Sequence, residues 1–379
     1  MTINAEAIVH KLASFPNRAV ASISEKPVQE YLKSLFAQGT VTEEPFRTHK
    51  NYLITVWWLI LGTIAGLILT YFFSWGGTLV TFFFAYAALA YFNWYPSPVS
   101  AFPPLVETKN LYVKEPGTRK KRVLLMAHYD TAPISSLYTP KMVGSFRQSL
   151  IINQFIILAS FLVSLLFSIF HYELLGYLLG VLSAYFILQL AVASVDFFRF
   201  GYANGASDNA TGVAAAVETY RQMKEHTLDH VAVDVLLTGA EEVGMIGAKA
   251  FYEKHKNGLE GTYVLNFDTL GNGSLRLITE TGSFTSIKYE NILSQIGQEI
   301  IKTDPDFRHV TTGAWHTADF DSVWFNRGGV PTLTLAALDE NGRMPNIHRE
   351  TDVLTNVDFK PMHDAVALAS AMILKLDKL

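Results

Sequence analysis

The chain has 379 residues, half of them hydrophobic and only 17% charged. Its mean hydropathy is +0.21, too apolar for an ordinary soluble protein of this size, so part of it is expected in a membrane. A net charge of −4 leaves no basic field for a nucleic-acid backbone. The absence of cysteine excludes disulfides, thiolate zinc sites and cysteine nucleophiles, so any metal must be held by His, Asp and Glu.

The N-terminal stretch MTINAEAIVHKLASFP lacks a basic region followed by an apolar core, and no cleavable signal peptide is expected. Residues 5–13 and 26–36 carry apolar side chains at three- and four-residue spacings and read as amphipathic helices; residues 40–46 read as a strand. From Tyr52 to Phe73 no residue is charged, and after Ser74–Gly77 a second uncharged run extends to about Tyr95. Each approaches or exceeds the ~18–20 residues that cross a bilayer. Trp57, Trp58, Trp75, Trp94 and Tyr95 lie near the ends as interfacial aromatics do. This is a helical hairpin that crosses and returns.

Residues 109–114 and 122–127 read as strands, the second running into His128, Tyr129 and Asp130. A second pair of apolar runs follows, 150–170 and 174–195, joined by His171, Tyr172 and Glu173. Four spans in two hairpins keep every long polar segment on one side of the membrane. The membrane-proximal residues of that side include Arg47, Lys50, Lys109, Lys141, Arg147 and Arg199, whereas the short connecting loops carry no Lys or Arg. The positive-inside rule therefore predicts a multi-pass membrane protein whose polar domain is cytoplasmic.

After the second hairpin comes GASDNATG (205–212), followed by a small-residue helix to about Glu225 in which Asp208 is a good helix-starting residue. Strands at 231–237, 263–267, 274–279 and 331–336 alternate with helices at 243–256, 286–301 and 360–375, an α/β pattern. Singly, the motifs are weak: the chain has 11 His, so His128-Tyr129-Asp130 alone says little, and Glu241-Glu242 has a second copy at Glu43-Glu44. Jointly they say more. His128, Glu241, Glu242 and Asp268 all fall just past predicted strand ends, the edge at which open α/β sheets bind ligands. With Asp208 and His348, the nitrogen and oxygen donors are too many for one open tetrahedral zinc and suit two that share a carboxylate, for which Asp208 is the natural bridge.

The chain resembles the zinc-dependent aminopeptidase family that includes bacterial leucyl aminopeptidase and, more distantly, glutamate carboxypeptidase and glutaminyl cyclase. The motifs that carry the resemblance are AHYDTAP (127–133), GASDNATGVAA (205–215), TGAEEVGMIGA (238–248), NFDTLG (266–271) and IHRETD (347–352), in the family's order. The resemblance implies a three-layer α/β domain with a mixed central sheet, made of 1–50, 97–148 and 200–379 and interrupted by transmembrane hairpins at 51–96 and 149–199. It implies two zinc ions, one on His128 and Asp268, the other on Glu242 and His348, bridged by Asp208. Asp130 would orient His128, and Glu241 would be the general base of peptide hydrolysis.

The chain departs from the family at 315–320, Trp-His-Thr-Ala-Asp-Phe, where soluble members often carry Ser-Asp-His before Phe. His316 and Asn209 are the candidates for the substrate side of the site, Asn209 also as a group that orients the bridge. The larger departure is a whole hairpin between His128 and Asp208, which would bring the site close to the bilayer. The function expected is a membrane metallo-aminopeptidase acting on peptides, membrane-associated ones among them, with the bilayer and not nucleic acid as its other partner. The alternatives are a single-zinc glutaminyl cyclase-like enzyme and a catalytically inactive receptor or scaffold of the same fold.

Overall fold

A computed structural model describes residues 4–379. In chain order it contains α1 (Ala5–Ala13), α2 (Glu25–Ser34), β1 (Val41–Thr48), α3 (Tyr52–Phe72), α4 (Ser74–Phe92), β2 (Val106–Val113), β3 (Lys121–His128), α5 (Val143–Phe170) and α6 (Glu173–Phe200). There follow α7 (Gly212–Glu225), β4 (Val231–Thr238), α8 (Ile246–His255), β5 (Thr262–Asp268), β6 (Ser274–Thr281), β7 (Ile287–Lys288), α9 (Ile292–Thr303), β8 (Thr311–Trp315), α10 (Ser322–Arg327), β9 (Thr332–Leu338) and α11 (Lys360–Asp377).

The strands form one mixed sheet in the order β1-β2-β4-β3-β5-β9-β6-β7, with β8 beside β6. Its centre, β4-β3-β5-β9, is parallel, so the C-terminal ends of these strands share one edge. Alternation along β3 shows why both faces are covered: Val123, Leu125 and Ala127 join the core under α1, α2, α7, α9 and α11, whereas Leu124 and Met126 join the one under α8 and α10. The expected α/β class, with its mixed central sheet, is what the chain adopts.

Several local expectations need correction. Ser74–Gly77 is not a loop: α4 begins at Ser74, leaving Phe73 alone between two helices. The helix expected from Ser286 begins at Ile292, because residues 287–288 pair with β6 and Asn291 makes a capping box with Ser294. The helix expected from Val243 begins at Ile246, because residues 241–245 form a tight turn. Asp208 does not cap α7; it lies inside a wide turn, Ala206–Thr211, that precedes the helix. Strand β8 and helix α10 were not foreseen, being too short for a periodic signal.

Helices α3, α4, α5 and α6 have 21, 19, 28 and 28 residues, each long and apolar enough to cross a membrane. Small residues let the first hairpin close tightly. A Cβ on Gly66 would stand 2.5 Å from Thr81 Oγ1, and one on Gly77 would stand 1.9 Å from the Thr70 nitrogen. The hydroxyls inside the bundle are satisfied locally, Thr70 by the Gly66 carbonyl and Thr81 by that of Gly77. At the base of the second hairpin the chain that enters and the chain that returns are zipped together: Ile134 N–H donates to Gly201 O, and Ala203 N–H to Ala132 O.

Gly66→Leu should force α3 and α4 apart at Thr81. Thermal unfolding of the full chain in detergent should show a loss of about 1–3 kcal/mol, and an unchanged midpoint would contradict this packing.

Candidate metal centre

Three parallel strands deliver the first residues. His128 is the last residue of β3 and Asp268 the last of β5, while Glu241 and Glu242 follow β4 by three and four positions. Asp208 reaches the same edge from the wide turn before α7, and His348 from the loop after β9. The side chains converge in a nearly closed pocket, His128 2% and Asp208 4% exposed.

Asp208 stands between the two imidazoles. Its Oδ1 is 3.2 Å from His128 Nε2 and its Oδ2 is 3.3 Å from His348 Nε2. Asp268 Oδ2 lies 3.6 Å from His128 Nε2, and Glu242 Oε2 lies 3.0 Å from His348 Nε2. Two imidazole–carboxylate pairs thus flank the Asp208 carboxylate. Glu241 stands a little further off, its Oε2 4.0 Å from His128 Nε2.

Each of these groups is held from behind. Asp130 accepts the amide N–H groups of Glu241 at 3.0 Å and Glu242 at 3.2 Å, which fixes the turn carrying both acids. That turn has left-handed backbone at Ala240 and Met245, a strained state for residues with a Cβ. Asp130 also lies 3.7 Å from His128 Nδ1, beyond hydrogen-bond length, and Nδ1 has no other partner. Asp130 is thus first a clamp on the acid turn.

Asn209 donates to Phe267 O at 2.9 Å and accepts from Gly212 N–H and Thr269 N–H at 3.0 Å each. It ties the Asp208 turn to the end of β5, and its side chain is engaged within the protein. His316 is likewise bound to Gly282 O at 3.0 Å, with Glu280 3.8 Å from its other ring nitrogen.

The structure adds residues to which sequence reasoning assigned no role. Asp352 accepts the amides of Ser207 at 2.7 Å and Asp208 at 3.1 Å, so the loop that supplies His348 also holds the shared carboxylate. Its place within IHRETD was the signal for it. Arg18, fully buried, donates to Tyr129 O at 2.8 Å, Asn204 O at 2.8 Å and Gly205 O at 2.7 Å, joining the His128 and Asp208 segments. No periodicity marked it, because it sits in an irregular stretch between α1 and α2. Tyr138 packs against the His348 ring at 4.4 Å between centroids. Asp321 accepts from Thr238 and leaves its other oxygen buried without a partner.

The electrostatics of the pocket point to missing positive charge. Burial pushes Glu242, Asp321 and Asp352 up to about 7 and raises Glu241 and Asp268 as well. Burial opposes the charge on Asp208 too, but hydrogen bonds to His128 and His348 hold it well below the usual range. Burial works against the His348 imidazolium, yet Glu242 and Asp208 outweigh it and raise its pKa to about 10. Arg18, lowered to about 10 mainly by burial, is the fixed cation that faces these acids. His128, Asp208 and Glu242 offer ligand atoms within 4.8 Å of one another, and Glu242 Oε1 is buried without a partner. An all-nitrogen-and-oxygen set with surplus buried negative charge fits zinc.

Mixed sheet, converging strand ends and this donor set define a protein of the metallopeptidase class. Residues 190–373, just under half of the chain, match the model of peptidase family M28, in keeping with the family resemblance of the motifs from GASDNATGVAA onward. Among solved structures, the LapA aminopeptidase of Legionella pneumophila is 13% identical with a TM-score of 0.56, over 100% of this chain and 72% of that one. A glutaminyl cyclase of Bacteroides thetaiotaomicron bound to N-acetylhistamine is 15% identical with a TM-score of 0.59, over 98% and 97%. A Zn-dependent exopeptidase of Parabacteroides distasonis is 14% identical with a TM-score of 0.57, over 100% and 97%. At these identities the likeness is one of fold.

Arg18→Met should strand three buried carbonyls and lower stability by about 2–5 kcal/mol. Differential scanning fluorimetry of the full chain reads this directly, and a midpoint equal to that of the unaltered protein would refute the tethering role.

Proposed function

We propose that the chain is a membrane-embedded two-zinc aminopeptidase. The observation that carries this reading is Asp208, one oxygen toward His128 and the other toward His348. His128 and Asp268 form one half-site, Glu242 and His348 the other. When bound there, zinc supplies Lewis-acid polarisation of the scissile carbonyl and eases ionisation of the attacking water.

The chain's own residues do the rest. Glu241, carried on the turn that Asp130 clamps and 4.0 Å from His128 Nε2, takes a proton from the attacking water and returns it to the leaving amine. A carboxylate in so dry a pocket holds a proton more readily than one in water, which suits a group that must carry one. Asn209, Asp352 and Arg18 keep Asp208 placed while the reaction runs. His316, bonded to Gly282 on the β6 side, is a candidate substrate contact.

The four apolar helices support a membrane location, and the Lys and Arg bias of the sequence supports a cytoplasmic catalytic domain. The zipped base of the second hairpin supports the location of the site. Residues 132–134 follow His128 and residues 201–203 precede Asp208, so both stems of that hairpin rise beside the proposed ligands. Substrates are then peptides presented at the bilayer surface, including the N-termini of membrane-associated proteins.

One observation favours a single-metal reading. His128, Asp208 and Glu242 alone suffice for one tetrahedral zinc with an open position, as a glutaminyl cyclase-like enzyme would use. Metal counting on purified protein separates two ions per chain from one, and release of N-terminal residues from aminoacyl reporters, abolished by a chelator, separates hydrolysis from cyclisation.

Glu241→Gln should keep its metal while hydrolysis falls about 10²–10⁴-fold; near-normal turnover would remove Glu241 from the base role. Asp208→Asn should lose metal and activity together, and an active, fully metallated variant would sink the shared-ligand assignment.

A further inference from the structure

Of the two imidazole–carboxylate pairs, one is made by the sheet domain. His128 closes β3 and Asp268 closes β5, paired across the sheet with Thr238 and Ala336. The carboxylates around His128, those of Asp130, Asp208, Glu241 and Asp268, all belong to that domain. Thr269, next along the chain, donates its hydroxyl to Asp268 at 2.9 Å.

The other pair leans on the hairpins. His348 lies in a loop with left-handed backbone at Asn346 and at His348 itself, a conformation that a residue with a Cβ keeps only where its surroundings impose it. Those surroundings include the stretch that leads into α5. Ser135 N–H donates to His348 O at 3.0 Å, and the Tyr138 ring covers the imidazole with centroids 4.4 Å apart and planes tilted by 59°. Tyr138 is itself set edge-on against Phe146, in the first turn of α5, at 5.1 Å. Glu242 meets the first hairpin. Asp130 clamps the start of the turn that carries it, but the far end of that turn rests on Tyr91 of α4. The Tyr91 hydroxyl donates to Val243 O at 3.4 Å, and a Cβ on Gly244 would stand 3.3 Å from the Tyr91 ring.

We propose that Tyr91 of the first hairpin and Ser135 and Tyr138 at the foot of the second are positioning residues for the Glu242–His348 metal position. The membrane insertions complete that position, whereas the sheet domain builds the one at His128 and Asp268. The inference rests on the two-metal reading of Asp208. Groups that orient a ligand from behind are worth about 10–100-fold in metal affinity, so different substitutions should weaken the two positions. Tyr138 meets His348 through its ring, and phenylalanine should serve there as well.

The test is zinc binding by the full chain in detergent, stripped of metal and followed by calorimetry. The unaltered protein should bind two zinc ions per chain in two steps. Tyr138→Ala should weaken one step about 10–100-fold and far more than the other, and Tyr138→Phe should restore it. Thr269→Val should weaken the opposite step, and Tyr138→Ala combined with Thr269→Val should weaken both. Tyr91→Phe removes only a hydroxyl and guards against poor folding of the alanine variant; it should weaken the same step as Tyr138→Ala severalfold. Unchanged binding in both hairpin variants, equal weakening of the two steps, or failure of phenylalanine to restore binding would overturn the proposal. A single zinc ion bound by the unaltered protein would instead refute the two-metal reading beneath it.

Discussion

The pocket is built around too much negative charge in too little water. Asp130, Asp208, Asp268, Asp321 and Asp352 are each at most 5% exposed, and Glu241 and Glu242 stand among them. Unpaired buried carboxylates are among the most expensive groups a fold can hold. Each is kept there by a specific partner: backbone amides for Asp130 and Asp352, imidazoles for Asp208, Thr269 for Asp268 and Thr238 for Asp321. The remaining imbalance is what a divalent cation would relieve, and relief of this kind makes metal affinity and the stability of this edge of the sheet a single quantity.

That constraint explains why residues far apart in the chain meet behind the ligands. Arg18 comes from the N-terminal segment and Asp352 from beyond β9, yet both secure the turn that carries Asp208. Asn209 secures the same turn to β5. A turn of this shape cannot be specified locally, since its residues depart from helical geometry at Asp208 and Asn209. Its conformation is imposed by long-range hydrogen bonds, so the site forms only when the sheet, the N-terminal segment and the loop after β9 are all in place.

This separates what was legible in the sequence from what was not. The strands of the parallel core were readable because runs such as Val231–Leu237, apolar but for Asp234, are buried on both faces. The acids and imidazoles at their C-terminal ends were readable because parallel strands put those ends on one edge. Asp208 was placed correctly in the chain but read as a helix start, because Ser-Asp-Asn before a small-residue helix is a strong local signal and the tethers that override it lie over a hundred positions away. Arg18 had no legible signal at all: a buried arginine is recognised by the carbonyls around it, and these come from Tyr129, Asn204 and Gly205. Short elements such as β8 and α10 hold too few residues to show a period.

The second hairpin leaves the sheet domain and returns to it at nearly one place. The pairing of residues 132–134 with 201–203 closes a neck beneath its two helices. The hairpins are nonetheless more than appendages. Gly244, two residues past Glu242, has no room for a side chain larger than hydrogen without pressing on the Tyr91 ring, the nearest carbon being 3.3 Å from where a Cβ would stand. Tyr91 belongs to α4, so the turn bearing Glu241 and Glu242 rests on the first hairpin. Arg147 of α5 reaches Ser283 at 3.0 Å, and Tyr138, just before α5, covers His348. The ends of these helices thus form walls beside the residues proposed to hold metal.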